Sequence, residues 1–119
     1  MKLDWTQGGL AGLRCYRSRE FFAAHEYWES VWLATKGPEK AFLQALIQLA
    51  AAFHHIQRGN PRGGASLLRS ALQRLEPHPP LFAGIVVSSL REEIREWLQE
   101  LETGAVRPEL AVPQIQLCG

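Results

Sequence analysis

Along most of the chain, apolar residues recur three and four positions apart, and glycine or proline interrupts the pattern wherever the phase changes, which predicts helices separated by tight turns. "GGLAGLRCY" places Leu10, Leu13 and Tyr16 on one face of a short first helix, although its glycines lower helical propensity. A second helix is expected from about Arg19 to Thr35, with Ser18 as its cap and Glu20 in the positive first turn. In "KGPEK", Gly37 suits a left-handed cap and Pro38 has no amide hydrogen to lose at a first helical position. "RGNPRGG" repeats the device: Gly59 ends the third helix, Asn60 caps the fourth and Pro61 opens it, and that helix should reach about Leu75. The prolines of "EPHPP" force an extended crossover. A last helix carries Leu90, Ile94, Trp97, Leu98 and Leu101 on one face, is capped by Ser89 with Glu92, and stops at Gly104.

No segment has a persuasive strand pattern, since "AGIVVSS" is an isolated β-branched run. The expectation is an all-α fold: about five helices in antiparallel hairpins forming one domain over 1–119, with a core over about 10–103. Residues 104–119 form an extended tail, either laid on the body or left mobile. A tetratricopeptide-like scaffold would need a repeat of about 34 residues, and the chain has none.

The third helix bears most on function. From Ala41 to Ile56 it is apolar nearly all round, the pattern of a buried central rod, and its polar residues are Gln44, Gln48, His54 and His55. At about 100° per residue, Gln44, Gln48 and His55 fall within roughly 40° of one another, while His54 points away. On the second helix, within "FFAAHEYWESVW", His25, Glu29 and Trp32 share a face and Glu26 lies about 60° from Glu29. The tight turn between the two helices suggests that His25 and Glu29 face Gln44, Gln48 and His55.

Two readings follow from that stripe. Buried polar groups normally satisfy one another, so the cluster can be an internal network that fixes helix register. Alternatively, His25 and Glu29 act as base and orienting group while Gln44, Gln48, His55, Glu26, Trp32 and Asn60 hold a small-molecule ligand. A metal reading is weaker. "HEYWE" resembles a zinc-peptidase motif with glutamate in the last place, and His25 and Glu29 could be joined by His54 or His55, but glutamines are poor ligands for a transition metal. Phe21, Phe22, Trp28, Trp32, Phe42 and Phe53 read as core, and His78, between prolines, as an exposed loop residue.

Charge narrows the field further. Thirteen Lys and Arg against twelve Asp and Glu, scattered along the chain, leave no basic footprint for nucleic acid. Arg58 with the start of the fourth helix could attract an anion, but the residues of a P-loop are absent. The apolar run "AFLQALIQLAAAF" is broken by Gln44 and Gln48 and is shorter than the ~20 residues a membrane span needs. Cys15 and Cys118 lie far apart with no secretory leader ahead of them, which suits a reducing cytoplasm. Trp5 and an apolar tail favour a homo-oligomer or a protein partner. No cofactor is indicated.

The stretch "FFAAHEYWESVWLATKGPEKAFLQALIQLAAAFHHIQRGNPRGGASLLRSAL" resembles a small all-helical prokaryotic family known as domain of unknown function number three hundred and nine. Its ordered pattern of His-Glu, Glu, Trp, Phe-Leu-Gln, Ile-Gln-Leu, His and Gly-Asn is matched across about Leu10 to Leu101. The resemblance implies a helical bundle with polar positions at His25, Glu26, Glu29, Gln44, Gln48, His55 and Asn60, and it implies no reaction. Two positions depart from the pattern. Ser18 stands where the family usually has glycine, and Val86 replaces an aspartate, so the last helix is expected to be capped by Ser88 or Ser89.

Overall fold

A computed structural model of the chain describes residues 8–104 and 111–117. Five helices account for nearly all of its regular structure: α1 (Gly8–Arg17), α2 (Phe21–Leu33), α3 (Pro38–Gln57), α4 (Pro61–Leu75) and α5 (Val87–Thr103). The fold is all-α. Among the described residues no helix is long and apolar enough to cross a membrane.

The boundaries set by glycine and proline are where local chemistry places them. Gly37, Gly59 and Gly104 take positive φ of 73°, 79° and 71°, while Pro38 and Pro61 open α3 and α4. Asn60 Oδ1 accepts from the Gly63 amide at 3.0 Å, the expected cap of α4.

The serine caps are not formed. The Ser18 amide donates to the carbonyls of Arg14 and Cys15, so Ser18 finishes α1, and α2 starts at Phe21 with Glu20 at its N-cap and no side-chain cap. Arg19 takes the left-handed conformation, φ 62°, that turns the chain between the two helices. At α5 the cap position is Val86, and the amides of Val87 and Ser88 donate to the Pro80 carbonyl, so the crossover backbone replaces a serine hydroxyl. Glu92 pairs with Arg95 instead of completing a capping box.

The crossover also contains a short hairpin absent from the sequence expectation: β1 (Leu81–Phe82) pairs with β2 (Ile85–Val86). Ala83 and Gly84, with φ of 53° and 79°, form its tight turn, a backbone geometry matched to the twist of two-residue hairpins. Strands of two residues carry no periodicity that a sequence reading could detect.

α3 is the central helix, antiparallel to α2. Phe21 at the start of α2 meets Phe53 near the end of α3 at 5.5 Å between ring centroids, and Lys40 at the start of α3 sits 4.2 Å above the Trp32 ring near the end of α2. α1 lies against α2 at very close range. A Cβ on Gly12 would collide with the Trp28 indole, whose Nε1 donates to the Gly9 carbonyl at 3.1 Å. Gly12 therefore costs helix propensity but creates the space for a fully buried tryptophan. On the other side α4 packs on α3, and α5 closes the core through Trp97, edge-on to Phe53 at 4.9 Å.

Residues 111–117 are laid on the body and contribute Val112 and Ile115 to the core. The Tyr16 hydroxyl donates to the Pro113 carbonyl at 2.7 Å, Arg17 to the Ile115 carbonyl at 3.0 Å and Trp97 Nε1 to the Ala111 carbonyl at 2.8 Å. Ile85 forms an antiparallel bridge with Leu117. The tail thus adds a third extended segment beside the hairpin. Trp5 and Cys118 lie outside the described residues.

Candidate functional site

The polar stripe of α3 is not buried. Gln44, Gln48, Ala51 and His55 are all half-buried and share about 60° of the helix wheel, whereas most of the remaining surface of α3 is buried. Because α2 and α4 flank α3 on its two sides, this sector is the strip that neither neighbour covers. The glutamines and histidine occupy it for that reason: a half-solvated position carries no penalty for an amide that lacks an internal partner.

The facing arrangement expected across α2 and α3 does not form. Gln48 turns to α4, where its Oε1 accepts from Arg74 Nε at 3.1 Å. His55 turns to the α3–α4 corner, where the Asn60 amide donates to its Nδ1 at 3.2 Å. Gln44 is half-buried on the same strip. The histidine that approaches α2 is His54, which the helical wheel places off the glutamine stripe and which the metal reading named beside His55. Its ring lies 5.4 Å from Phe22, which in turn stacks nearly parallel to His25, with 12° between planes and 6.3 Å between centroids.

His25 and Glu29 are neighbours on α2, with Nε2 and Oε2 3.9 Å apart, beyond hydrogen-bond length. Their side chains are 30% and 56% exposed, so this is a surface pair and not an internal network. The Nδ1 atom of His25 is buried and has no hydrogen-bond partner among the described residues. Trp32 is half-buried under Lys40, and Glu26 is exposed in a shallow groove with Ala23, Tyr27 and Ser30. Phe22, grouped with the core aromatics by its spacing, is 56% exposed.

His54 has its pKa lowered, first by loss of solvation at its half-buried position and then by the positive charges of Arg58, His55 and His25. His78 is half-buried, not the exposed loop residue expected between prolines. Its ring packs against Phe82 at 4.4 Å and Phe42 at 5.4 Å. Burial lowers its pKa, reinforced by Arg91 and opposed by Glu39. Among the described residues no three His, Cys, Asp or Glu side chains gather where they could hold a metal ion. His55, at the far corner with Asn60, does not join His25 and Glu29.

Of the groups on this face and strip, Arg74 was not expected, Phe22 was expected in the core, and His54 was expected only as an alternative third metal ligand. Only His54 carried a usable signal, because adjacent histidines on a helix diverge by about 100° and must serve different neighbours. The assembled face is chemically mixed: exposed aromatic and aliphatic groups, two carboxylates, and imidazoles at the edge of α3. Ser30, the hydroxyl beside Glu26 and Tyr27, donates to the Tyr27 carbonyl at 2.8 Å and not to a base.

Ninety residues of this chain are 34% identical to an uncharacterized protein of Aquifex aeolicus (strain VF5), covering 75% of this chain and 27% of that protein. The chain therefore spans about a quarter of that relative's length. The family model described as Domain of unknown function (DUF309) matches residues 10–67. That segment runs from α1 into α4 and contains His25, Glu26, Glu29, Trp32, Gln44, Gln48, His55 and Asn60, while Arg74, the hairpin, α5 and the tail lie beyond it. Over residues 10–67 the chain belongs to this DUF309 family.

Proposed function

We propose that the chain is a protein-recognition module that docks through the outer edge of α2. The observation that carries this reading is the composition of that edge. Phe22 and Leu33, 56% and 70% exposed, lie at its ends with Glu26 and Glu29 between them. The spacing of four, three and four residues keeps all of these side chains within about 60° of one another. Single exposed apolar residues are ordinary, but a stripe at i, i+4, i+7 and i+11 is how a helix presents anchors to a partner. Its complement is a surface that is apolar at both ends and basic in the middle.

Two further observations suit the reading. In the Aquifex relative the matching unit is 27% of a longer protein, as a module would be. The wide spacing of Cys15 and Cys118 suits work in a reducing cytoplasm. The test compares wild type with Phe22→Ser plus Leu33→Ser, using chemical cross-linking in extract of the native organism and quantitative mass spectrometry. A protein cross-linked at α2 by wild type and lost by an equally stable variant supports the module. Identical cross-linked sets would refute it.

A second reading, a small-molecule site, is favoured by one specific feature: the buried Nδ1 of His25, which has no hydrogen-bond partner among the described residues, beside the stacked Phe22 ring. A polar ligand on α2 would supply the missing partner while Glu29 steadies the other side of the imidazole. Elemental analysis and native mass spectrometry of wild type and of His25→Ala with Glu29→Ala test it. A stoichiometric ligand or metal that disappears in the double variant supports this site, and an unladen wild type argues against it.

A further inference from the structure

The two helices that flank α3 carry opposite charge. α2 has Glu26 and Glu29 and no Lys or Arg, whereas α4 has Arg62, Arg69 and Arg74 and no Asp or Glu. Arg74 turns to Gln48 on α3, while Arg62 and Arg69 are exposed on the outer face of α4, within about 20° of each other on the helical wheel. Two shallow grooves run beside them. One lies between α4 and α5, over Pro61, Ala65 and Leu101, and the other is farther along α4, over Leu72. Pro61 and Leu72 are eleven residues apart, about 16 Å of helix, and Phe22 and Leu33 on the α2 edge have the same separation. On α2 the two carboxylates lie midway between the apolar ends, and on α4 Arg62 and Arg69 fall between Pro61 and Leu72. The outer face of α4 is therefore the complement of the α2 edge: apolar at both ends and basic between them.

We propose that the partner of the α2 edge is a second copy of this chain, which receives it on the outer face of α4. The inference rests on the reading of that edge as a recognition surface. Phe22 and Leu33 cover the two grooves while Glu26 and Glu29 accept from Arg62 and Arg69, whose forked guanidiniums suit paired bonds to carboxylates. Two other carboxylates reach the grooves, Glu76, which is held by Arg95, and Glu102, and both stand at the apolar ends and not between the arginines. A formal charge of +1 adds little repulsion between copies. The contact joins unlike surfaces. Because α2 and α4 lie on two sides of α3, a pair of copies leaves one α2 edge and one α4 face unfilled, so association continues into a ring or an open chain and does not stop at a two-fold dimer.

The experiment is sedimentation velocity of the full-length chain at concentrations up to about 1 mM, which reaches even a weak interface. Wild type should grow past the dimer as concentration rises. Glu26→Lys with Glu29→Lys, and separately Arg62→Glu with Arg69→Glu, should each weaken association about tenfold or more, since like charges then meet. All four positions are exposed, so both variants should keep the wild-type melting temperature. An equimolar mixture of the two variants should associate again, because the unaltered α2 of one meets the unaltered α4 of the other. If a double reversal does not fold, Glu29→Lys and Arg69→Glu are mixed in its place. A monomeric wild type, association indifferent to the reversals, or a mixture as dissociated as its parts would overturn this choice of partner. None of these results decides the cross-linking test of the α2 edge, which fails only if wild type and its Phe22, Leu33 variant give identical cross-linked sets.

Discussion

Replacing Tyr16 by phenylalanine isolates a single interaction that joins the two ends of the chain. The ring is 1% exposed and its hydroxyl donates to the Pro113 carbonyl at 2.7 Å, ninety-seven residues away. Phenylalanine fills the same volume apart from the oxygen, so no sizeable void opens and the loss is confined to the hydrogen bond. A neutral buried bond contributes about 0.5–1.5 kcal/mol net, and leaving the carbonyl without a donor raises the cost, so Tyr16→Phe should destabilise by about 1–2 kcal/mol. For a domain of this length that is a Tm fall of about 4–8 °C by circular dichroism at neutral pH. A second signature separates the bond from packing. Burial, with a smaller push from Glu93, holds the Tyr16 phenol well above its usual pKa, while Arg19 acts in the opposite sense. The folded state keeps this proton after the unfolded chain has lost it, so wild type loses stability as pH rises above about 10, and the phenylalanine variant has no such loss at this position. The Tm gap between the two proteins should therefore narrow or invert at high pH. A variant melting within about 1 °C of wild type at neutral pH, or a gap indifferent to alkaline pH, would refute the reasoning.

Two other perturbations follow from the packing. Gly12→Ala drives a methyl group into the Trp28 indole and displaces its bond to Gly9, so a loss of about 1–3 kcal/mol is expected in urea unfolding, and an unchanged midpoint would mean that α1 and α2 are further apart than described. His78, lowered by burial between Phe42 and Phe82, stabilises the fold fully above the unfolded value near 6.5 and loses that contribution as pH falls through its lower native value. His78→Gln should flatten the fall in stability between about pH 7 and 5, and an acid limb of unchanged slope would contradict the assignment.

Helix boundaries were legible where backbone chemistry decides alone: glycines at positive φ and prolines at first helical positions leave few alternatives at 37–38, 59–61 and 104. Ser18 and Ser89 misled because a serine's capping preference is worth only about 1 kcal/mol, and backbone carbonyls from the preceding helix or the crossover satisfied those amides instead. Gly12 read as a weakness because propensity is local, whereas its value lies in a contact with a different helix. The polar stripe on α3 was correctly located as a sector and wrongly buried. Amphipathic pattern fixes which residues share a face, but the positions of α2 and α4 decide which face is covered. Ala51, falling in the same sector as Gln44, Gln48 and His55, was the remaining clue that this strip bears little apolar bulk. The hairpin and the seating of the tail depend on pairings over long separations, for which the sequence holds no periodic signal.

The claim on which the functional reading rests is that the His25 and Glu29 face is surface available for recognition and does not hold the fold together. Its most direct test is the melting temperature of His25→Ala with Glu29→Ala against wild type. An exposed pair beyond hydrogen-bond length contributes at most about 1 kcal/mol, and the substitution also removes a buried nitrogen that has no partner among the described residues, so the Tm should stay within about 4 °C. A fall of about 8 °C or more is what breaking a buried network produces, and it would contradict the account.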